Sequence, residues 1–219
     1  MTIKQFSKKY DLDIIPVSNE RLTFGKCVWD DAIFGKPKFN HGSMPDYILN
    51  TFIDAELMTV DEAELSLKKY RDQPLEKAGF FNVNVDIETN IATEINLDDQ
   101  TNLKNEIKAN KIVKFTFSDI QYKELSFSDR VNIDIKLDKI KADHWKDYSQ
   151  DLRKAYIITQ LYYGKIKVYI KKEFDHELNL TLKGFILKND ISTNSILEYE
   201  FDNNNLPFAM KLERVKHFN

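Results

Sequence analysis

One cysteine, Cys27, is all the chain contains. No disulfide can form within it, and a reducing compartment fits best. Glycine and proline are nearly as scarce, 6 and 5 in 219 residues, and they are scattered. Nothing therefore reads as a flexible linker, an internal repeat or a low-complexity tract, and residues 1–219 are expected to form a single domain. Long hydrophobic runs are missing too. No stretch approaches the roughly 20 apolar residues of a membrane-spanning helix. The N-terminal MTIKQFSKKYD lacks the apolar core of a signal peptide. A chain made as a soluble cytoplasmic protein is expected, one that meets a membrane only by strands or by surface contact. Excess positive charge is absent as well. A net charge of −3 disfavours nucleic acid as the main partner.

The motifs of chemistry are equally sparse. The four histidines, His41, His144, His176 and His217, stand at no metal-ligand spacing with one another or with Cys27. There is no glycine-rich phosphate loop and no nucleophile elbow. Cys27 sits in a strand pattern and reads as a small buried residue. Asp30-Asp31 and Asp98-Asp99 read as solvated turn and cap residues. The expectation is no enzyme, no metal and no cofactor, and a protein that acts by binding or by changing shape.

What the chain does have is 42% hydrophobic and 31% charged residues, a globular balance, and a strong period of two. In FNVNVDIETNIATEINL, residues 81–97, every odd position is apolar or Thr and every even one is Asn, Asp, Glu or Ala. Successive strand side chains alternate between faces, so one face is oily and the other wet. Two geometries fit: one long strand, or a hairpin turning at Glu88-Thr89-Asn90 that keeps the parity. Two environments fit as well. The oily face meets a protein core, or it meets lipid, since membrane strands carry this alternation over about 9–11 residues.

Further strands are expected at 14–17, 21–29, 113–117, 131–137, 155–173 and 177–187. ILEYEF and LPFAMKLERV, with a turn at 202–205 between them, read as a closing hairpin. Helices are expected at 3–10, at 60–70 along Val60, Ala63, Leu67 and Tyr70, and across 98–111. Another is expected at 144–154, capped by Asp143 and striped with Trp145, Tyr148 and Leu152. Residues 33–46 read as loop, and 47–58 fit helix or strand. Strands outnumber helices and follow one another over short turns. The predicted fold class is α+β, a central twisted, mainly antiparallel sheet flanked by a few short helices.

The helix DHWKDYSQDLRK runs straight into AYIITQLYYGKIKVYIKKE, and the chain closes on SILEYEF and LPFAMKLERV. This order resembles the latter part of the gasdermin pore-forming domain. There a Trp-bearing helix leads to a strand of the Y-V-V-T-E kind, and an apolar and basic strand closes the domain. Tyr156-Ile157-Ile158-Thr159-Gln160 and Phe208-Ala209-Met210-Lys211-Leu212 match those two strands. The front half is similar: a basic helix with Lys4, Lys8 and Lys9 precedes a strand with a Pro16-Val17 step.

The resemblance implies a protein held soluble until an inhibitory segment is released, for which Glu213–Asn219 is the candidate. Release, by a protease for example, lets two regions extend into amphipathic hairpins that join other copies in a pore at the inner face of the cell membrane. Val83, Val85, Ile87, Ile91 and Ile95 would then insert from the first region. Val113, Phe115, Phe117, Val131, Ile133 and Ile135 would insert from the second, at 111–137. Lys4, Lys8 and Lys9 would meet anionic headgroups. The residues leave a second class of function open: a soluble binding module, immunity- or antitoxin-like, whose acidic turns face a basic partner protein.

Overall fold

A computed structural model describes residues 8–14, 22–31, 36–38, 47–79, 82–86, 112–171, 187–189, 196–201 and 207–217. The strands are β1 (Asp13–Ile14), β2 (Cys27–Asp31), β3 (Lys36–Lys38), β4 (Glu76–Lys77) and β5 (Val83–Asp86). They continue with β6 (Ile112–Glu124), β7 (Ala155–Lys171), β8 (Leu187–Asn189), β9 (Ile196–Phe201) and β10 (Ala209–Arg214). The helices are α1 (Ile48–Asp54), α2 (Val60–Asp72), α3 (Phe127–Lys139) and α4 (Trp145–Leu152). Every strand pair with a defined register is antiparallel, so the fold class is α+β, as expected. The chain forms two compact units, and β6, β7 and β10 contribute residues to both.

One unit comprises 22–74, 123–161 and 211–219. Its strands β3, β2 and the start of β7 pair in that order, with Cys27 opposite Ile157 and Trp29 opposite Lys38. Cys27 is buried, as its strand context predicts. Gly25 makes the turn into β2 with φ of 72°, a left-handed backbone that glycine adopts at little cost. Its amide donates to Ile158 O at 3.0 Å and its carbonyl accepts from Ile48 N at 2.8 Å, which ties the start of α1 to β7. Residues 47–58, ambiguous in the sequence, thus contain a helix. Ile48, Leu49 and Phe52 are buried along it at the spacing a helix gives one face.

α2 begins with a capping box. Thr59 Oγ1 accepts from Glu62 N at 3.2 Å, and Glu62 Oε2 accepts from Thr59 N at 2.8 Å. Its Tyr70 packs edge-on against Phe24, with ring centroids 5.9 Å apart.

The stretch VNIDIKL, expected as strand, is helix α3. Alternation over seven residues is ambiguous, because positions four apart share a face in both periods. Ser126 settles it locally by accepting from Asp129 N at 3.3 Å as N-cap. Ile133, Leu137 and Ile140 then fall on one buried stripe, while Val131 and Ile135 are exposed. The helix passes through a π-type turn, Ile140–His144, into α4. Asp143 therefore lies inside a continuous helical run and is not the N-cap expected of it.

The other unit comprises 1–21, 75–122 and 162–210. In it β4 and β5 pair with β6, β8 and β9 pair with each other, and β9 pairs with the far part of β7. β10 pairs with β1 and β7, so the expected closing hairpin of ILEYEF with LPFAMKLERV is not formed. Its core holds Leu12, Val83, Phe117, Ile120, Ile166, Phe208 and Met210. Phe117 stacks on Phe208 at 4.3 Å with planes 12° apart. Tyr122 stacks on Tyr162 at 5.7 Å. Burial pushes the Tyr163 phenol up to about 12.

Candidate functional site

The registers of β5–β6 and β7–β9 define two ribbons with unlike faces. Residues directly opposite in an antiparallel pair share a face of the sheet. Val83 stands opposite Phe117 and Val85 opposite Phe115, while Asn84 faces Thr116 and Asp86 faces Lys114. One face of this ribbon is apolar and the other is polar. Val83 and Phe117 are buried, and Asn84 is exposed.

The second ribbon repeats the design. Ile166 stands opposite Phe201, Val168 opposite Tyr199 and Ile170 opposite Leu197. Between them, Lys167 is opposite Glu200 and Tyr169 opposite Glu198. β8 extends it, with Leu187 opposite Phe201 and Lys188 opposite Glu200.

β6 pairs with β7, and side chains on the polar side connect the two ribbons. The Lys114 ammonium lies over the Tyr169 ring, 5.1 Å from its centroid. Lys165 Nζ is 2.8 Å from Asp119 Oδ2. Both ribbons thus turn their wet faces to one side of the sheet, and the buried Phe117 and Ile166 belong to the other.

Several expected site residues fall on this surface. Val83, Val85, Val113, Phe115 and Phe117 lie in β5 and β6. Ile87, Ile91, Ile95 and Lys4 lie outside the described residues. Lys8 and Lys9 are exposed on helical residues 8–10, with the Lys9 ammonium 5.1 Å from the centroid of Tyr10. Val131, Ile133 and Ile135 do not join the ribbons, since α3 carries them in the other unit.

The second ribbon, β7–β9, was not expected as a pair. Its signal was present: KIKVYIK and ILEYEF both alternate, one with Lys at its polar positions and the other with Glu. A turn-like Asp-Asn-Asn-Asn after ILEYEF directed the pairing to the last strand instead.

In the other unit, charged groups serve the fold. Asp129 is buried, and Lys69 Nζ reaches its two oxygens at 2.8 and 2.7 Å. Ser126 Oγ also hydrogen-bonds Asp129 Oδ2. Arg130 holds Glu213 in a two-pronged pair at 2.9 and 2.6 Å, and Thr159 Oγ1 donates to the same carboxylate at 3.0 Å. Pairing with further hydrogen bonds of this kind offsets part of the penalty of taking charge out of water. Burial, with Asp129 nearby, pushes the Tyr70 phenol well above its usual range. Burial lowers the Lys123 ammonium, with Asp72 opposing, and Lys123 donates to Arg71 O at 2.9 Å.

Among the described residues, no three His, Cys, Asp or Glu side chains gather as metal donors. No helix among them is long and apolar enough to cross a membrane. No protein-family model and no curated protein matches this chain.

Proposed function

We propose that the chain forms membrane pores in the manner of the gasdermin pore-forming domain that it resembles, with the β5–β6 and β7–β9 ribbons as the roots of two inserting segments. The observation that carries the reading is the pair of registers. Each ribbon places apolar residues opposite apolar residues, and polar opposite polar. A membrane β-barrel needs this two-faced ribbon, lipid on one side and a water-filled lumen on the other. Only a closed barrel satisfies strand backbones in lipid, so several copies have to join edge to edge.

The alternation of β5 continues in the sequence to Leu97, which extends the first ribbon toward membrane length. Odd positions from Val83 to Ile95 face lipid in this account. The second ribbon is β7–β9, in place of the 111–137 region. Before activation the oily faces serve as core, which keeps the protein soluble in the cytoplasm. Activation, by proteolysis for example, frees them at the inner face of the cell membrane. Lys4, Lys8 and Lys9 contact anionic headgroups, each contributing about 1 kcal/mol near such a surface.

Face-specific charge tests this. Val85→Asp combined with Ile95→Asp abolishes dye release from anionic liposomes, while Asn84→Asp, on the wet face, leaves it intact. Circular dichroism confirms that each variant is folded. A folded Val85→Asp/Ile95→Asp protein that leaks dye at the original rate overturns the proposal.

A further inference from the structure

β6 is creased at one residue. Asp119 lies within this 13-residue strand yet has φ of 50°, in the left-handed region. Non-glycine residues occupy that region at a cost, Asp less so than most and β-branched residues most of all. The crease changes which positions face the core. Phe117 is buried, whereas Asp119, two positions on and of the same parity, is exposed and meets Lys165 on the polar side, which a plain strand of period two does not give. A break of parity at a left-handed residue is the mark of a β-bulge.

The neighbours are fitted to the crease. β5 pairs with β6 as far as Phe117, and β4 takes over at Gln121. Between these pairs, Ala78 N donates to Ile120 O at 3.0 Å. On β7, Gly164 lies against the bulge. A Cβ there would stand 2.7 Å from Ser118 O and 3.5 Å from Ile120 Cα. Only glycine admits so close an approach of backbone to backbone. Lys165 bridges to Asp119 at 2.8 Å, and the Asp119 side chain is 67% exposed, so water competes for this contact.

We propose that this crease is the hinge of the β6–β7 ladder: Asp119 is left-handed in the soluble form and becomes extended when the ribbons lengthen in the membrane. The inference rests on the pore reading above. A bulge interrupts the single parity that a barrel strand keeps across the bilayer, so inserting β6 requires its removal. Returning Asp119 to extended backbone relieves the strain, and the exposed ion pair gives way at little cost.

The experiment compares dye release from anionic liposomes by the original protein, Asp119→Gly and Asp119→Val, with the melting temperature of each. Glycine is at ease left-handed, so Asp119→Gly stabilises the crease and slows leakage roughly fivefold. Valine resists it, so Asp119→Val speeds leakage by a similar factor while lowering the melting temperature. The glycine variant relieves strain and keeps the fold, so its slowing is not an effect of misfolding. Equal leakage rates in the three proteins overturn the hinge and leave the pore reading standing. So does slower leakage from Asp119→Val. No leakage from the original protein, before or after limited proteolysis, overturns both.

Discussion

Phe117 is a residue whose loss the ribbon account makes costly to the soluble fold. It is 2% exposed, and its ring stacks on that of Phe208, which is 0% exposed. Truncation to alanine removes a buried aromatic ring and leaves a cavity, at a cost of about 3–5 kcal/mol. About 0.5–1.5 kcal/mol of that belongs to the stack itself. For a chain of this length each kcal/mol lowers the melting temperature by about 2–4 °C, so a fall of roughly 10 °C is expected. Urea unfolding followed by circular dichroism measures the loss directly. The stacking share comes from a double-mutant cycle with Phe208→Ala, in which the two losses overlap by about 1 kcal/mol. A loss below about 1 kcal/mol for Phe117→Ala, or a strictly additive cycle, would refute the packing of Phe117 on Phe208.

Two further predictions concern the other unit. Ile133→Ala costs about 2–5 kcal/mol, whereas Ile135→Ala stays within about 0.5 kcal/mol, because Ile133 is 2% exposed and Ile135 is 51% exposed. Similar losses at both positions, measured by chemical denaturation, would restore the strand reading of 131–137. The backbone and hydroxyl of Thr59 hold the Glu62 carboxyl below its usual range. That group therefore stabilises the fold above the ordinary carboxylate range, and its contribution is lost as the pH falls through its lowered value. Melting curves taken from neutral to acid pH lose this component in Glu62→Gln, which cannot titrate, and an unchanged pH profile in that variant would contradict the capping box.

β5 was legible from the alternating stretch 81–97 in which it lies, because one oily face is a property of the strand itself, and β7 was expected as a strand over 155–173. VNIDIKL was misread because seven residues are too few to separate period two from a helical stripe, and the Ser126 cap was overlooked. β6 departs from plain alternation at Asp119, and the cause was not legible in the sequence. A single left-handed Asp and the approach of Gly164 from a strand some 45 residues later produce it. Pairing was the least legible level. That β9 joins β7 rather than the following strand depends on contacts over long sequence separation, which local turn residues do not encode. The polar cluster of Lys69, Asp129, Arg130 and Glu213 was invisible for the same reason.

The most direct test of the pore account is dye release from liposomes containing anionic lipid, with the purified chain before and after limited proteolysis and with the membranes imaged by electron microscopy. The account predicts leakage together with ring-shaped oligomers. A protein that stays monomeric and leaves the vesicles sealed under both conditions contradicts it, and would assign the two-faced ribbons to a soluble core and the protein to binding another protein.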